Sequence, residues 1–263
     1  MITKRDIINA LEIVAPLNLQ ESYDNSGVQI ADTSGQCSAV MICVDVTPEI
    51  INEAVSKNCN LIVTHHPLMF RPVKSIQQRN RVEQSIMAAI RAGIDIYSCH
   101  TSIDNAPSGR SVSHQMARML NLCDIKTLVP LDSDGAGSGI IADLPRPMTV
   151  SQVVQLIKTT FHSPVARCAP APDTTPITRI ALCGGAGADF IPQAIARGAQ
   201  LYLTSDCKHN HFIDHRQQIF LVDIGHFESE ECTKEIFYQI ISEKFPNFAV
   251  YKSEKEKNPI TYC

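Results

Sequence analysis

The sequence predicts an α/β protein of two related halves, each a mainly parallel sheet with helices packed on it. Short apolar strand candidates alternate with amphipathic helical stretches, the rhythm of βαβ units. Residues 54–64 align without a gap on residues 194–204, at a constant offset of 140. Small apolar positions, a basic residue, a turn, a strand and the threonines Thr64 and Thr204 coincide. Histidines and carboxylates then gather directly after the strand candidates of both halves. We therefore expect a first α/β repeat over 1–130 and a second over 131–263, arisen by internal duplication.

Residues 3–15 carry Ile7, Ile8, Leu11, Val14 and Ala15 at helical spacing, with Thr3 and Asp6 set as a capping pair. A loop through Asp24-Asn25-Ser26-Gly27 leads to a strand candidate at 28–30. Strand, helix and strand follow over 39–44, 48–57 and 61–63, then a helix over 81–92, a strand over 94–98 and a helix over 111–120. Residues 131–139, with Asp132, Ser133, Asp134, Gly135, Gly137, Ser138 and Gly139, read as a loop. Thr149 to Gln152 fits a capping box opening a helix that runs to about residue 160. The Pro-, Ala- and Asp-rich stretch 164–176 reads as a connector. In the second half a strand over 179–183 precedes the repeated helix and strand, and 221–226 echoes 96–100.

With 263 residues, 44% hydrophobic and 19% charged, the chain is long enough to bury a substantial core. A net charge of −4 without any long Lys/Arg block argues against binding a phosphate backbone. The mixed-charge tail 252–257 reads as a solvated stretch. No apolar run reaches the roughly 18 residues a membrane span needs, and the N-terminus lacks a signal-peptide core. Of the ten cysteines, Cys43, Cys59, Cys99, Cys183 and Cys207 lie in or beside apolar runs and no C-x-x-C pair occurs. They read as small buried hydrophobes in a reducing, cytoplasmic setting.

Chemistry concentrates at the strand ends. His65-His66 follows the run Leu61-Ile62-Val63-Thr64 and precedes Pro67, which keeps His66 out of the helical region. The first half adds His100-x-x-x-Asp104 on a loose turn, and the second half adds Ser205-Asp206 and His226-x-x-x-Glu230. Ligands of open α/β sheets bind outside the carboxyl ends of strands, where all these residues fall. Three of these imidazoles with two of the carboxylates already exceed the needs of one tetrahedral zinc and suit two divalent ions with open positions for water. The mixed N/O donors favour Zn, Mn, Fe, Co or Ni over Mg or Ca.

Other readings of single residues stand beside this one. His100 reads equally as a ligand or as a satisfied strand-end histidine, and Asp206 as a helix N-cap or an acid behind the ligands. Lys208-His209-Asn210-His211 reads as substrate-facing or structural, and His114 and His162 as helix-surface residues. Gly184-Gly185-Ala186-Gly187 lacks the Lys-Ser/Thr of a phosphate loop and reads as a tight turn.

Six segments together resemble the Nif-three-like family, whose members carry the name GTP cyclohydrolase 1 type 2 homologue. They are Tyr23-Asp24-Asn25-Ser26-Gly27, THHPLMF at 64–70, HTSIDNAPSG at 100–109, CGGAG at 183–187, TSDCKH at 204–209 and GHFESE at 225–230. The resemblance spans nearly the whole chain, without the mid-chain insertion of longer members. It implies metal ligands at His65, His66, Asp104, His226 and Glu230, with His100 lining the same site. It further implies two intertwined α/β domains and a toroidal homohexamer. The expected function is a dinuclear metal-dependent hydrolase of a nucleotide or related heterocycle, with two divalent ions per chain. Asp206 or His100 would move the protons in that reaction. The alternative is a metal-bound ring that binds protein or nucleic-acid partners without catalysis.

Overall fold

Runs of four residues buried on both faces make the inner strands of this protein, so each sheet needs cover on both sides. The computed structural model describes residues 1–32, 35–107, 109–131, 134–174 and 176–263. Asp132 and Ser133 of the expected loop, Ser108 of the HTSIDNAPSG segment and Thr175 of the expected connector lie outside the described residues. By compactness the chain divides into one unit of Met1–Ile103 with Thr233–Lys257 and another of Asp104–Cys232 with Asn258–Cys263. This division differs from the repeat boundary at 130/131: residues 104–130 pack with the second unit, and 233–257 return to the first.

The chain opens with α1 (Lys4–Val14), where Thr3 and Asp6 form the expected capping box. β1 (Gly27–Ile30), β2 (Val40–Cys43), α2 (Pro48–Ser56), β3 (Leu61–Thr64), α3 (Arg81–Ala92) and β4 (Asp95–Ser98) follow. Thr47 caps α2, with Pro48 at the first helical position, and Asn80 caps α3, which ends on Gly93 in the left-handed region. A helical turn, α4 (Thr101–Asp104), stands where a looser turn was expected between His100 and Asp104. Next come α5 (Val112–Met119), β5 (Cys123–Pro130), β6 (Gly137–Met148), α6 (Val150–Thr160), β7 (Arg167–Cys168), β8 (Ile177–Leu182), α7 (Ile191–Ala196), β9 (Leu201–Thr204), α8 (His209–His215), β10 (Phe220–Asp223) and α9 (His226–Glu230). The chain closes with α10 (Thr233–Lys244) and β11 (Val250–Lys252).

In the first unit the sheet order is β1-β4-β3-β2-β11, parallel throughout except for the antiparallel β1 edge. Met41, Ile62 and Ile96 pack with Ile50, Ile51 and Ala54 of α2 and Ile86 and Ala89 of α3. Helices α1 and α10 pack together on this unit, and α10 also packs on β2. In the tail 252–257, Lys252, Glu254, Lys255 and Lys257 are exposed as expected, but Ser253 is buried and Glu256 half-buried, each with fixed partners. Glu256 accepts hydrogen bonds from the backbone N–H groups of Val44 and Asp45 at 2.8 Å each, while Ser253 and the backbone N–H groups of Glu254 and Lys255 donate to Glu53. Local charge pattern could not register these partners, which lie about two hundred residues away in sequence.

The second unit carries the order β5-β6-β8-β9-β10-β7. Its centre, β8-β9-β10, is parallel like β2-β3-β4, whereas β5-β6, β6-β8 and β10-β7 are antiparallel. The expected loop 131–139 is shorter than read, because β6 begins at Gly137. Gly137 sits at φ 147, and a Cβ there would lie 2.1 Å from the Val129 carbonyl oxygen, so the hairpin depends on its missing side chain. No helix among the described residues is long and apolar enough to cross a membrane.

Candidate functional site

In the first unit His65 and His66 leave the carboxyl end of β3, and His100 follows β4 by two residues. The backbone there is pinned: Thr64 Oγ1 donates to the Val44 carbonyl and Ser98 Oγ donates to the His65 carbonyl, both at 2.8 Å. The three imidazoles converge, with ring centroids 5.0 to 5.4 Å apart. One ring nitrogen from each lies within 4.8 Å of the others.

Each ring is oriented through Nδ1. That of His65 meets the Cys99 carbonyl oxygen at 3.2 Å, that of His66 meets Asp45 Oδ2 at 3.2 Å, and that of His100 meets Asp24 Oδ1 at 2.7 Å. A carbonyl or carboxylate oxygen only accepts, so Nδ1 carries the proton and Nε2 keeps a lone pair for a cation. Metal-binding histidines are commonly set in this way. Burial alone would raise the Asp24 carboxyl, but hydrogen bonds from His100, Thr101 and Ser26 hold it well below the usual carboxylate range.

The second unit repeats the device. Thr204 Oγ1 donates to the Gly185 carbonyl at 2.9 Å, the counterpart of the Thr64 latch. Asp206 follows β9 at φ 55, a left-handed conformation, and is not the N-cap of α8, a place taken by Lys208. Its Oδ2 lies 2.7 Å from Nδ1 of His226. His226 opens α9 and Glu230 closes it, one turn later on the same face. Glu230 is buried, with Oε2 2.9 Å from His226 Nε2. Burial opposes a charge on His226, yet the two carboxylates push its imidazole up to about 11. A position flanked by two carboxylates favours positive charge, which a divalent cation also satisfies.

Backbone shape protects Glu230. Gly185 sits at φ 64, and a Cβ there would lie 2.1 Å from Glu230 Oε1. Its N–H donates to Ser229 Oγ at 2.9 Å. The CGGAG turn therefore lets backbone approach an acid closely, which is the tight-turn reading. Burial, then the charges of Asp104 and Glu230, push the Cys183 thiol up to about 12. Asp104 and Glu230 thus both bear on one spot of the second unit. The residues present fit divalent metal ions by donor type, ring orientation and the space left open at Gly185.

Asp24 and Asp45 carry site geometry that reading for ligand types alone passed over. Asp24 lies in the Tyr23-to-Gly27 segment, whose lone acid beside a turn was the signal available. Among the other histidines, His211 accepts the Lys208 backbone N–H at 3.1 Å, a local cap. His114 lies on α5 as expected, half-buried and hydrogen-bonded to Ser111, and burial lowers its pKa. His162 is exposed but lies past the end of α6, at φ 52.

Residues 2–259 match the model of the Duf34/NIF3 (NGG1p interacting factor 3) family. A Clostridium perfringens protein named GTP cyclohydrolase 1 type 2 homolog is 34% identical over 226 residues, covering 86% of each chain. A Drosophila melanogaster protein named NIF3-like protein 1 is 27% identical, covering 97% of this chain and 87% of its own. Among solved structures, a hypothetical protein of Staphylococcus aureus superposes with a TM-score of 0.91 at 25% identity, covering 100% of this chain and 99% of its own. A Bacillus cereus protein related to NIF3 gives 0.90 at 21% identity, with 99% of each chain covered. With its motifs, its two mixed α/β sheets and its oriented histidines in place, this chain belongs to the Duf34/NIF3 family.

Proposed function

We propose that the protein is a metal-dependent hydrolase of a nucleotide or related heterocycle, with ring opening of GTP as the reaction its relatives' name suggests. One observation carries this reading: His65, His66, His100 and His226 are each held through Nδ1 by an oxygen acceptor, as ligating or proton-moving imidazoles require. His65, His66, Asp104, His226 and Glu230 would hold two divalent ions per chain. Bound metal would supply water of lowered pKa and a Lewis acid.

The protein's own groups do the rest. Asp24 fixes His100 with Nε2 free to accept a proton, and stabilises the imidazolium that results. Asp206 holds His226 while its half-exposed carboxylate keeps contact with solvent, so it can pass protons outward. The reading includes a homohexameric ring in the cytoplasm, to be checked by light scattering and cell fractionation.

The test is turnover of GTP and a panel of nucleotides and phosphoesters by purified, metal-loaded protein. Wild type should turn over at least one of them, and a His66→Ala, Glu230→Ala double variant should lose that activity while still assembling. Equal inertness of both proteins across the panel would overturn the hydrolase reading in favour of a non-catalytic metal-bound scaffold.

A further inference from the structure

A second feature of the first unit is a groove of about 490 Å³ that begins at Pro67, one residue past His66. Phe70, Arg71, Lys74, Arg79 and Arg81 line it. Four cations thus face one cavity in a chain whose overall charge is negative. Two of them are anchored. Arg79 Nη2 donates to Ser75 Oγ at 2.6 Å and lies 3.5 Å from Glu83, and Arg81 Nη1 donates to the Val46 carbonyl at 2.6 Å. Anchoring reduces the side-chain entropy these residues would lose on binding a ligand.

The acid in the groove does not neutralise them all. The Glu83 carboxylate is already engaged by the backbone N–H groups of Gln77 and Arg79 and by Asn80 Nδ2. Asp45 lies 3.9 Å from Arg81 and is shared with His66. Arg71 and Lys74 are exposed and have no acidic partner among the described residues. At the end near the histidines, the Phe70 ring is 46% exposed and stands edge-on to His100, with centroids 6.1 Å apart. An aromatic face beside the imidazoles, followed by a run of cations, matches a planar ring joined to a polyanionic chain.

We propose that this groove binds the phosphate chain of a nucleotide, with Arg71 and Lys74 as the contacts that are free to engage it and Phe70 as the platform for its ring. The inference rests on the nucleotide reading above and names the part of the substrate that the histidines do not hold. Arg71 and Lys74 act on binding and lie away from the reacting atoms. Their removal should therefore raise KM and leave kcat in place.

Calorimetric titration of the intact protein with tripolyphosphate and with GTP tests this. An Arg71→Ala, Lys74→Ala double variant should bind both about tenfold more weakly. Wild-type affinity should fall as salt rises. Lys158→Ala, on α6 of the second unit and outside the groove lining, should match wild type. Equal affinity of wild type and the double variant for both ligands would overturn the proposal, as would an equal loss in Lys158→Ala. Circular dichroism confirms that the variants fold. If wild type binds tripolyphosphate through Arg71 and Lys74 but turns over no nucleotide, the hydrolase reading falls and the groove stands. If turnover occurs with KM unchanged in the double variant, the groove falls and the hydrolase reading stands.

Discussion

Asp24 Oδ1 lies 2.7 Å from His100 Nδ1, across 76 residues of sequence, and the same carboxylate accepts the Thr101 backbone N–H and hydroxyl and the Ser26 hydroxyl. One buried acid thus ties the start of β1 to the end of β4 and sets the tautomer of a histidine in the cluster. With the Asn25 backbone N–H, also 2.7 Å from Oδ1, five donors on two oxygens leave no room for an amide.

Asp24→Asn should therefore cost about 1–3 kcal/mol of stability, because an amide NH2 must face a donor that the carboxylate accepted. Metal affinity should fall about 10- to 100-fold with the loss of a firmly oriented ring. Urea unfolding and elemental analysis of the purified variant check both effects.

The Asp24 carboxyl also predicts an acid limb. Its folded pKa is depressed, so its contribution is fully present above the unfolded value near ~3.9. That contribution is lost as pH falls from there toward the folded value. Wild type should lose stability through this window, and Asp24→Asn should lose less. Parallel acid titration curves for the two proteins would count against the assignment.

Glu53 makes the same kind of prediction for the tail. Against burial, hydrogen bonds from Ser253 and the backbone N–H groups of Glu254 and Lys255 lower its carboxyl. Glu53→Gln should loosen residues 253–256 and speed their amide exchange, with a stability loss of about 1–2 kcal/mol at neutral pH. The difference from wild type should shrink below the ordinary glutamate pKa of ~4.3. Hydrogen exchange at two pH values reads it.

Gly185→Ala isolates close approach from backbone strain. Gly185 and Gly198 both have positive φ, at 64 and 75, but a Cβ at Gly198 meets nothing within 4 Å. Gly198→Ala should cost about 1–2 kcal/mol from the left-handed backbone alone. Gly185→Ala should cost more and displace Glu230, with a loss of bound metal that Gly198→Ala does not share. Thermal melts paired with metal analysis separate the two.

Asp206 distinguishes hydrogen bonding from charge at His226. Asn tolerates the left-handed region and its amide oxygen still accepts from Nδ1, so Asp206→Asn should keep most metal affinity. Asp206→Ala removes the acceptor and should lose about tenfold or more. Equal affinities in the two variants would show that His226 needs no such partner. Competition against a chelator of known strength measures them.

Local pattern alone determined much of this protein. Apolar runs such as Leu61 to Thr64, capping boxes at Thr3 and Thr149, and Pro48 at a helix start specify their elements through short-range sterics and hydrogen bonds, and each forms near its expected place. The candidate donors were legible too, because imidazoles and carboxylates directly after buried strands stand out by residue type. Tertiary structure decided what those donors lean on and where the long-range segments go. Asp24 and Asp45 were plain loop acids until folding set them on His100 and His66. The tail was a charged stretch until Glu53 and the backbone of β2's end received it. Those pairings join residues 21 to 212 positions apart, and their energy comes from desolvating charges that then need partners, which no local window contains.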